Sequence, residues 1–235
     1  MNQRSKLIYE VSELKKEYGN RLVLQIRKLQ FHPGTIYGII GAIGSGKSTL
    51  LRLLAGKEKQ SSGVLKYDSE LFSSNWLGKI KGNEEIYLAS VAQLPESGKI
   101  KKIVKSIHPK KLEKIKAKYF NRGVQKTIWD QTLSNLSPGE TAWLNKILAV
   151  ESDPRVLLID DYGTLMDEKM ELDFRKQIKK MNRELGTTII LAAPTDFQIK
   201  KFAAVLIHLD NGHVSKIRPG VQSSQSTRYA KKNAK

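Results

Sequence analysis

The sequence predicts an α/β fold on a parallel sheet, with a small antiparallel region ahead of it and a helical block inserted into it. Three observations carry this. The runs Val156–Ile159 and 187–192 are short and continuously apolar, the pattern of strands buried on both faces. A glycine-rich loop joins the apolar run 35–40 to a leucine-rich segment of helical period. Between residues 97 and 150 the apolar spacing is helical and much of the surface is basic, which places this block as an insertion in the core.

Residues 7–10 and 22–26 alternate as strands around the Glu17-Tyr18-Gly19-Asn20-Arg21 turn, and Pro33-Gly34 marks the next turn. After the loop, Leu50, Leu51, Leu53 and Leu54 form the apolar face of a helix over 49–55 that Gly56 ends. Ile100, Ile103, Val104 and Ile107, then Leu112, Ile115 and Tyr119, predict two amphipathic basic helices separated by His108-Pro109. A further helix runs from Ser137-Pro138-Gly139 to about Val150, and Asp153-Pro154 turns the chain into the strand that ends at Asp160 and Asp161. Residues 168–185 are helical by periodicity with Gly186 as the stop, and a closing hairpin, 205–209 with 213–216, turns on Asn211-Gly212. The reading is one unit over 1–220, with the helical block at about 97–150, and a basic tail over 221–235 whose Ser, Gln and Lys content predicts disorder.

Composition narrows the function. The chain has 235 residues, 40% hydrophobic and 27% charged, which excludes collagen-like and wholly disordered classes. No apolar stretch approaches the roughly 20 residues needed to cross a bilayer. The N-terminus lacks a secretory apolar region and there is no cysteine, so a cytoplasmic location without disulfides is expected. The net charge is +18, and residues 97–126 carry eleven basic side chains against the single acid Glu113. Residues 216–235 add six more and no acid. Such a concentration points to an anionic partner, although a solvated face accounts for it equally well.

Gly41-Ala42-Ile43-Gly44-Ser45-Gly46-Lys47-Ser48 matches a phosphate-binding loop. Its glycines let backbone N–H groups approach phosphate oxygens, Lys47 reaches the β- and γ-phosphates, and the Ser48 hydroxyl holds Mg²⁺. The helix that begins near Lys47 adds its positive end. Asp160, at the end of a buried strand, stands where a second Mg²⁺-holding carboxylate belongs.

With these parts in this order the chain resembles the ABC ATPases, from about residue 8 to 214. Tyr18 resembles the family's adenine-stacking aromatic and Gln93 its Q-loop glutamine, implied to serve both Mg²⁺ and the attacking water. Leu136-Ser137-Pro138-Gly139-Glu140 is similar to the signature LSGGQ, which implies that Ser137 and Gly139 meet nucleotide held by a partner cassette. The resemblance adds Thr49 to the ATP contacts and implies a P-loop NTPase core with an antiparallel β subdomain and an inserted helical subdomain, closing head to tail as a dimer around Mg-ATP. The segment 164–167 resembles the D-loop on the same seam, and 209–214 the closing hairpin.

Several positions depart from the family. Asp161 stands where the catalytic Glu is usual, Pro194 where a γ-phosphate histidine is usual, and Pro138 and Glu140 alter the signature. Thr195 is the better stand-in for the histidine, because Asp196 would repel phosphate. None of His32, His108, His208 and His213 offers a substitute. A carboxylate withdrawn by about 1 Å can cost on the order of 100-fold in rate, so slow hydrolysis is expected. The resemblance implies a homodimer or a heterodimer with another cassette, and a separate integral membrane transporter subunit. The basic helices would then lie near anionic lipid at the inner face of the membrane, where each Lys or Arg contributes roughly 1 kcal/mol. The alternative is a soluble ABC switch acting on nucleic acid or the ribosome. Nucleic acid is the weaker reading, since only Tyr119 and Phe120 interrupt the basic block as stacking aromatics.

Overall fold

A computed structural model describes residues 7–73, 76, 80–91 and 94–220. The chain opens with β1 (Tyr9–Tyr18) and β2 (Arg21–Phe31), a long antiparallel pair, followed by β3 (Ile36–Ile40) and α1 (Lys47–Leu54). Then come β4 (Ser62–Tyr67), β5 (Glu70–Leu71) and β6 (Ile86–Ala89). The helical block contains α2 (Ile100–Ile107), α3 (Leu112–Tyr119), α4 (Gly123–Ile128) and α5 (Pro138–Glu151). The chain closes with β7 (Val156–Ile159), α6 (Glu168–Leu185), β8 (Thr188–Ala193), β9 (Val205–Asp210) and β10 (His213–Pro219).

Two sheets result. One is antiparallel, ordered β2-β1-β4-β5, and the other is six-stranded, ordered β10-β9-β3-β8-β7-β6. In the second, β9, β3, β8, β7 and β6 are parallel and β10 pairs antiparallel at the edge. The carboxyl ends of β3, β7 and β8 therefore lie along one rim, which is where open α/β sheets bind their ligands.

Helix α1 is the hinge of the packing. Leu50, Leu51, Leu53 and Leu54 are all fully buried, and they fill the space between the two sheets with Tyr9, Leu14, Leu24 and Phe31. The four leucines form one broad apolar face, while Lys47, Ser48, Thr49 and Arg52 take the remaining positions. The opposite face of the six-stranded sheet is covered by Phe174, Ile178 and Met181 of α6 and by Ala149 and Val150 of α5. A third cluster, including Ile100, Val104, Ile115, Trp129 and Leu144, holds the helical block together. Trp143 packs edge-on against Phe120 with ring centres 5.2 Å apart.

The two basic helices, the helix from the signature and the closing hairpin form as expected. The expected strand 22–26 lies inside the eleven-residue β2, whereas the expected strand 7–10 meets β1 only at residues 9 and 10, since β1 runs on to Tyr18. Their alternation is hidden by a register shift at Lys16/Glu17 and by Glu13 in a left-handed conformation, φ +48°. Strands β4, β5 and β6 and helix α4 give no clear sequence signal. In β4 only Leu65 and Tyr67 are buried, and β6 is a four-residue edge strand. Gln93 and the tail 221–235 lie outside the described residues. Among the described residues no helix is long and apolar enough to cross a membrane.

Candidate functional site

The loop 41–46 leaves β3 and turns directly into α1. Gly46 stands before the helix at φ +97° and Gly44 at φ +83°, conformations that a residue with a Cβ seldom adopts. A Cβ on Gly41 would collide with the Leu209 carbonyl and the Ser45 hydroxyl. The loop is braced from two sides. Gly41 N–H donates to the Ala193 carbonyl at the end of β8 (3.3 Å), and Gly212 N–H of the closing hairpin donates to the Ser45 carbonyl (3.2 Å).

Lys47 is buried beneath this loop and donates to the carbonyls of Gly41 (2.7 Å) and Ala42 (2.8 Å). Burial lowers the affinity of its amine for a proton, against the opposing pull of Asp160 and Asp161. The ammonium thus closes the concavity from below, with the exposed tip residue Ile43 above it. Asp160, half-buried at the end of β7, stands beside the Ser48 hydroxyl. Its carboxyl is held above the ordinary range: burial raises it most, the Ser48 hydroxyl lowers it, and the neighbouring Asp161 raises it again.

A hydroxyl and a carboxylate in contact are two hard oxygen ligands. Among the described residues no group of three or more His, Cys, Asp or Glu could hold a metal alone. The pair therefore fits Mg²⁺, which takes few protein ligands and completes its shell with water and phosphate oxygens. Asp161 is exposed at φ +50°, its N–H donating to Asp160 Oδ1 at 3.1 Å.

The remaining candidates lie on other segments of the chain. Tyr18 is joined to α1, since its hydroxyl bonds Glu58 and accepts from Arg52 Nη2 (3.3 Å), while Arg52 also donates to Thr49 Oγ1 (3.2 Å). Lys16 Nζ lies 4.7 Å from the centre of the Tyr18 ring. At the signature loop Ser137 caps α5, and Glu140 reaches back so that one oxygen, Oε2, accepts from both the Ser137 N–H and its hydroxyl at 2.8 Å. Those two bonds hold the Glu140 carboxyl below its ordinary range. The Leu165 carbonyl is the nearest group to the Cα hydrogen side of Gly139, so 164–167 runs beside the signature loop.

After β8, Pro194 and Thr195 are exposed, and Asp196 is ion-paired with Arg218 and, at 3.7 Å, with Lys200. Arg218 Nε also donates to His208 Nε2 at 3.1 Å. Sequence reasoning missed the Ser137/Glu140 reciprocal cap, although Ser-x-x-Glu before a helix is a legible signal for it. It also missed the bracing by Gly212 and the Asp196–Arg218–His208 group, which join segments distant in sequence and leave no local signal.

The family model described as ABC transporter matches residues 24–163. The spermidine/putrescine import ATP-binding protein PotA of Bacillus thuringiensis (strain Al Hakam) is 27% identical over 217 residues, covering 90% of this chain and 66% of that protein. Its namesake from Haemophilus influenzae (strain 86-028NP) is 29% identical over 192 residues, covering 80% of this chain and 51% of that protein. The chain thus spans about two thirds or less of these relatives' length. Among solved structures, cbiO1 from Clostridium perfringens, part of the ABC transporter complex cbiONQ, superposes with a TM-score of 0.72 at 21% identity over 97% of this chain and 94% of its own. A dimeric bacterial ABC transporter cassette gives a TM-score of 0.76 at 18% identity over 90% of this chain and 98% of its own. At these identities the likeness is one of fold.

Proposed function

Since the chain belongs to the ABC transporter family, its match covering more than half of the sequence, we propose that it is an ATP-binding cassette that binds Mg-ATP, closes with a second cassette and drives a separate membrane transporter subunit. The observation that carries this is the joint placement of the glycine loop, Lys47, Ser48 and Asp160 at the carboxyl ends of β3 and β7.

In this reading the loop N–H groups and the amino end of α1 cradle the phosphates. Lys47 exchanges the Gly41 and Ala42 carbonyls for the β- and γ-phosphate oxygens, and Thr49 and Tyr18 complete the nucleotide contacts. Ser48 and Asp160 would hold Mg²⁺, which would supply charge neutralisation to the triphosphate. Asp161 orients the attacking water with a side chain one methylene short, so hydrolysis is slow. Pro194 supplies no side-chain donor, Thr195 is the nearest hydroxyl after β8, and Asp196 is compensated by Arg218 and Lys200.

Ser137 and Gly139 face the partner's nucleotide, and the exposed Leu165 follows the same seam. The exposed lysines of α2 and α3, including Lys101, Lys105 and Lys114, lie toward anionic lipid on the cytoplasmic side. The same basic surface supports the second reading, a soluble switch on nucleic acid.

The test is calorimetric titration of the full chain with Mg-ATP beside Lys47→Ala, then affinity purification from detergent-solubilised cells with and without nuclease. Saturable binding lost in the variant, and recovery of a polytopic membrane protein, are expected. No binding by the wild-type chain would remove the nucleotide role. Nuclease-sensitive recovery of ribosomal proteins alone would favour the switch.

A further inference from the structure

Glu58 lies just past α1 and gathers side chains from two elements. Its Oε2 accepts from the hydroxyl of Tyr18, the last residue of β1, and its Oε1 accepts from Arg52 Nε of α1 at 2.5 Å. Lys16 Nζ stands 3.5 Å from the same Oε2 and donates to the Lys59 carbonyl at 2.9 Å. Burial raises the Glu58 carboxyl, but the bonds from Tyr18 and Arg52 and the charges of Arg52 and Lys16 outweigh it and hold the group below its ordinary range, so it is an ionised acceptor at neutral pH. The backbone beside it is pinned as well: Glu17 N–H donates to Ser61 Oγ at 2.9 Å, and Ser61 N–H donates to the Lys15 carbonyl at 2.8 Å.

A tyrosine at the end of a strand otherwise has several rotamers open to it in solvent. Here the hydroxyl is held by Glu58 and by Arg52 Nη2 at 3.3 Å, and one face of the ring is covered by Lys16 Nζ, 4.7 Å from its centre. Tyr18 nonetheless stays 42% exposed, so a planar group can stack only on the face that Lys16 leaves. Arg52 also donates to Thr49 Oγ1 at 3.2 Å, which ties the ring to the first turn of α1, next to the glycine loop. Partly exposed ion pairs add little stability, whereas a ring fixed before its ligand arrives removes an ordering cost from binding.

We propose that Glu58 is a positioning residue for the nucleotide base: directly and through Arg52 it holds the Tyr18 ring in the orientation in which the base stacks, with Lys16 closing the opposite face. The inference rests on the Mg-ATP reading and deepens it, because it assigns a role to side chains that touch neither phosphate nor metal. Losing Glu58 should therefore harm the base end of the nucleotide and spare the phosphate end.

The test is calorimetric titration of the full chain with Mg-ATP and with magnesium tripolyphosphate, which carries the phosphates and no base. Glu58→Ala should weaken Mg-ATP by about two- to tenfold, the scale of re-ordering one side chain on binding, and leave tripolyphosphate unchanged, a split that general loosening of the fold would not produce. Glu58→Gln, which keeps an acceptor for the Tyr18 hydroxyl, should recover part of the loss. Tyr18→Phe keeps the ring and removes the tether; it should weaken Mg-ATP to a similar degree, and the double variant Tyr18→Phe/Glu58→Ala should be no weaker than either single one. Unchanged Mg-ATP affinity in Glu58→Ala, equal losses of Mg-ATP and tripolyphosphate, or additive losses in the double variant would overturn the proposal and leave the nucleotide site standing. Binding of neither ligand by the wild-type chain would overturn it together with the ATP reading.

Discussion

Asp161 occupies a left-handed conformation that aspartate tolerates better than most residues, because its short side chain bonds locally. Replacing it with glutamate extends the carboxylate toward the water but gives up that tolerance. Asp161→Glu should therefore raise ATP turnover by about tenfold and lower stability by roughly 0.5–1 kcal/mol, measured by steady-state hydrolysis and urea unfolding. Unchanged turnover would assign the limit to Pro194 or Pro138 instead. Glu140 presents a similar conflict, since its carboxylate engages the hydroxyl and the N–H of the signature serine. Glu140→Gln keeps an N3 residue able to complete the cap and removes the negative charge. It should increase the ATP-dependent dimer fraction in light scattering, and no change would mean that this charge does not oppose closure.

At the scale of elements, α5 is anchored at both ends by carboxylates. Its first turn depends on Glu140, and at its last residue Glu151 accepts from Lys118 Nζ and Tyr119 Oη, both at 2.8 Å, joining α3 to the core. Burial raises the Glu151 carboxyl, yet the hydrogen bonds from Lys118 and Tyr119 and the charges of Lys118 and Lys114 outweigh it and leave the group below its ordinary 4.5. Both carboxyls are depressed on folding, so their contribution is complete above about pH 4.5 and is lost as the pH falls through the folded values. The urea midpoint should drop below about pH 4.5, and Glu151→Gln should remove part of that dependence while costing about 1–2 kcal/mol at neutral pH. A pH profile identical to wild type would show that α3 is held by its apolar contacts alone. Helix α6 is bounded more simply, by Asp167 as cap and by Gly186 at φ +68°.

For the whole molecule, the proposed nucleotide site joins α1 to the six-stranded sheet: α1 carries Ser48, Asp160 follows β7, and the β9–β10 turn braces the loop through Gly212. Ligand binding at such a junction should stabilise the entire fold. At about 100 times the dissociation constant, Mg-ATP should add roughly 2.7 kcal/mol and raise Tm by roughly 5–10 °C, with no shift for Lys47→Ala. The basic surface is a separate property of the molecule. Binding to vesicles containing phosphatidylserine should weaken steeply between low and physiological salt, measured by sedimentation. Salt-independent binding would mean that the lysines of α2 and α3 are not the contact.

The amino-acid order alone was enough for the parts whose chemistry is local. A glycine loop before Lys47 and Ser48, an apolar run ending in Asp160, and apolar periodicity over α1, α5 and α6 each depend on neighbours in the chain, where spacing and side-chain type carry the information. Strand order, the pairing of β3 with β8 and β9, the bracing of the loop by Gly212 and the neutralisation of Asp196 by Arg218 came only from the three-dimensional structure. The same holds for the gathering of Tyr18, Arg52 and Lys16 around Glu58. These depend on which distant segments meet, and a glutamate after a helix reads as surface until the strand that meets it is in place.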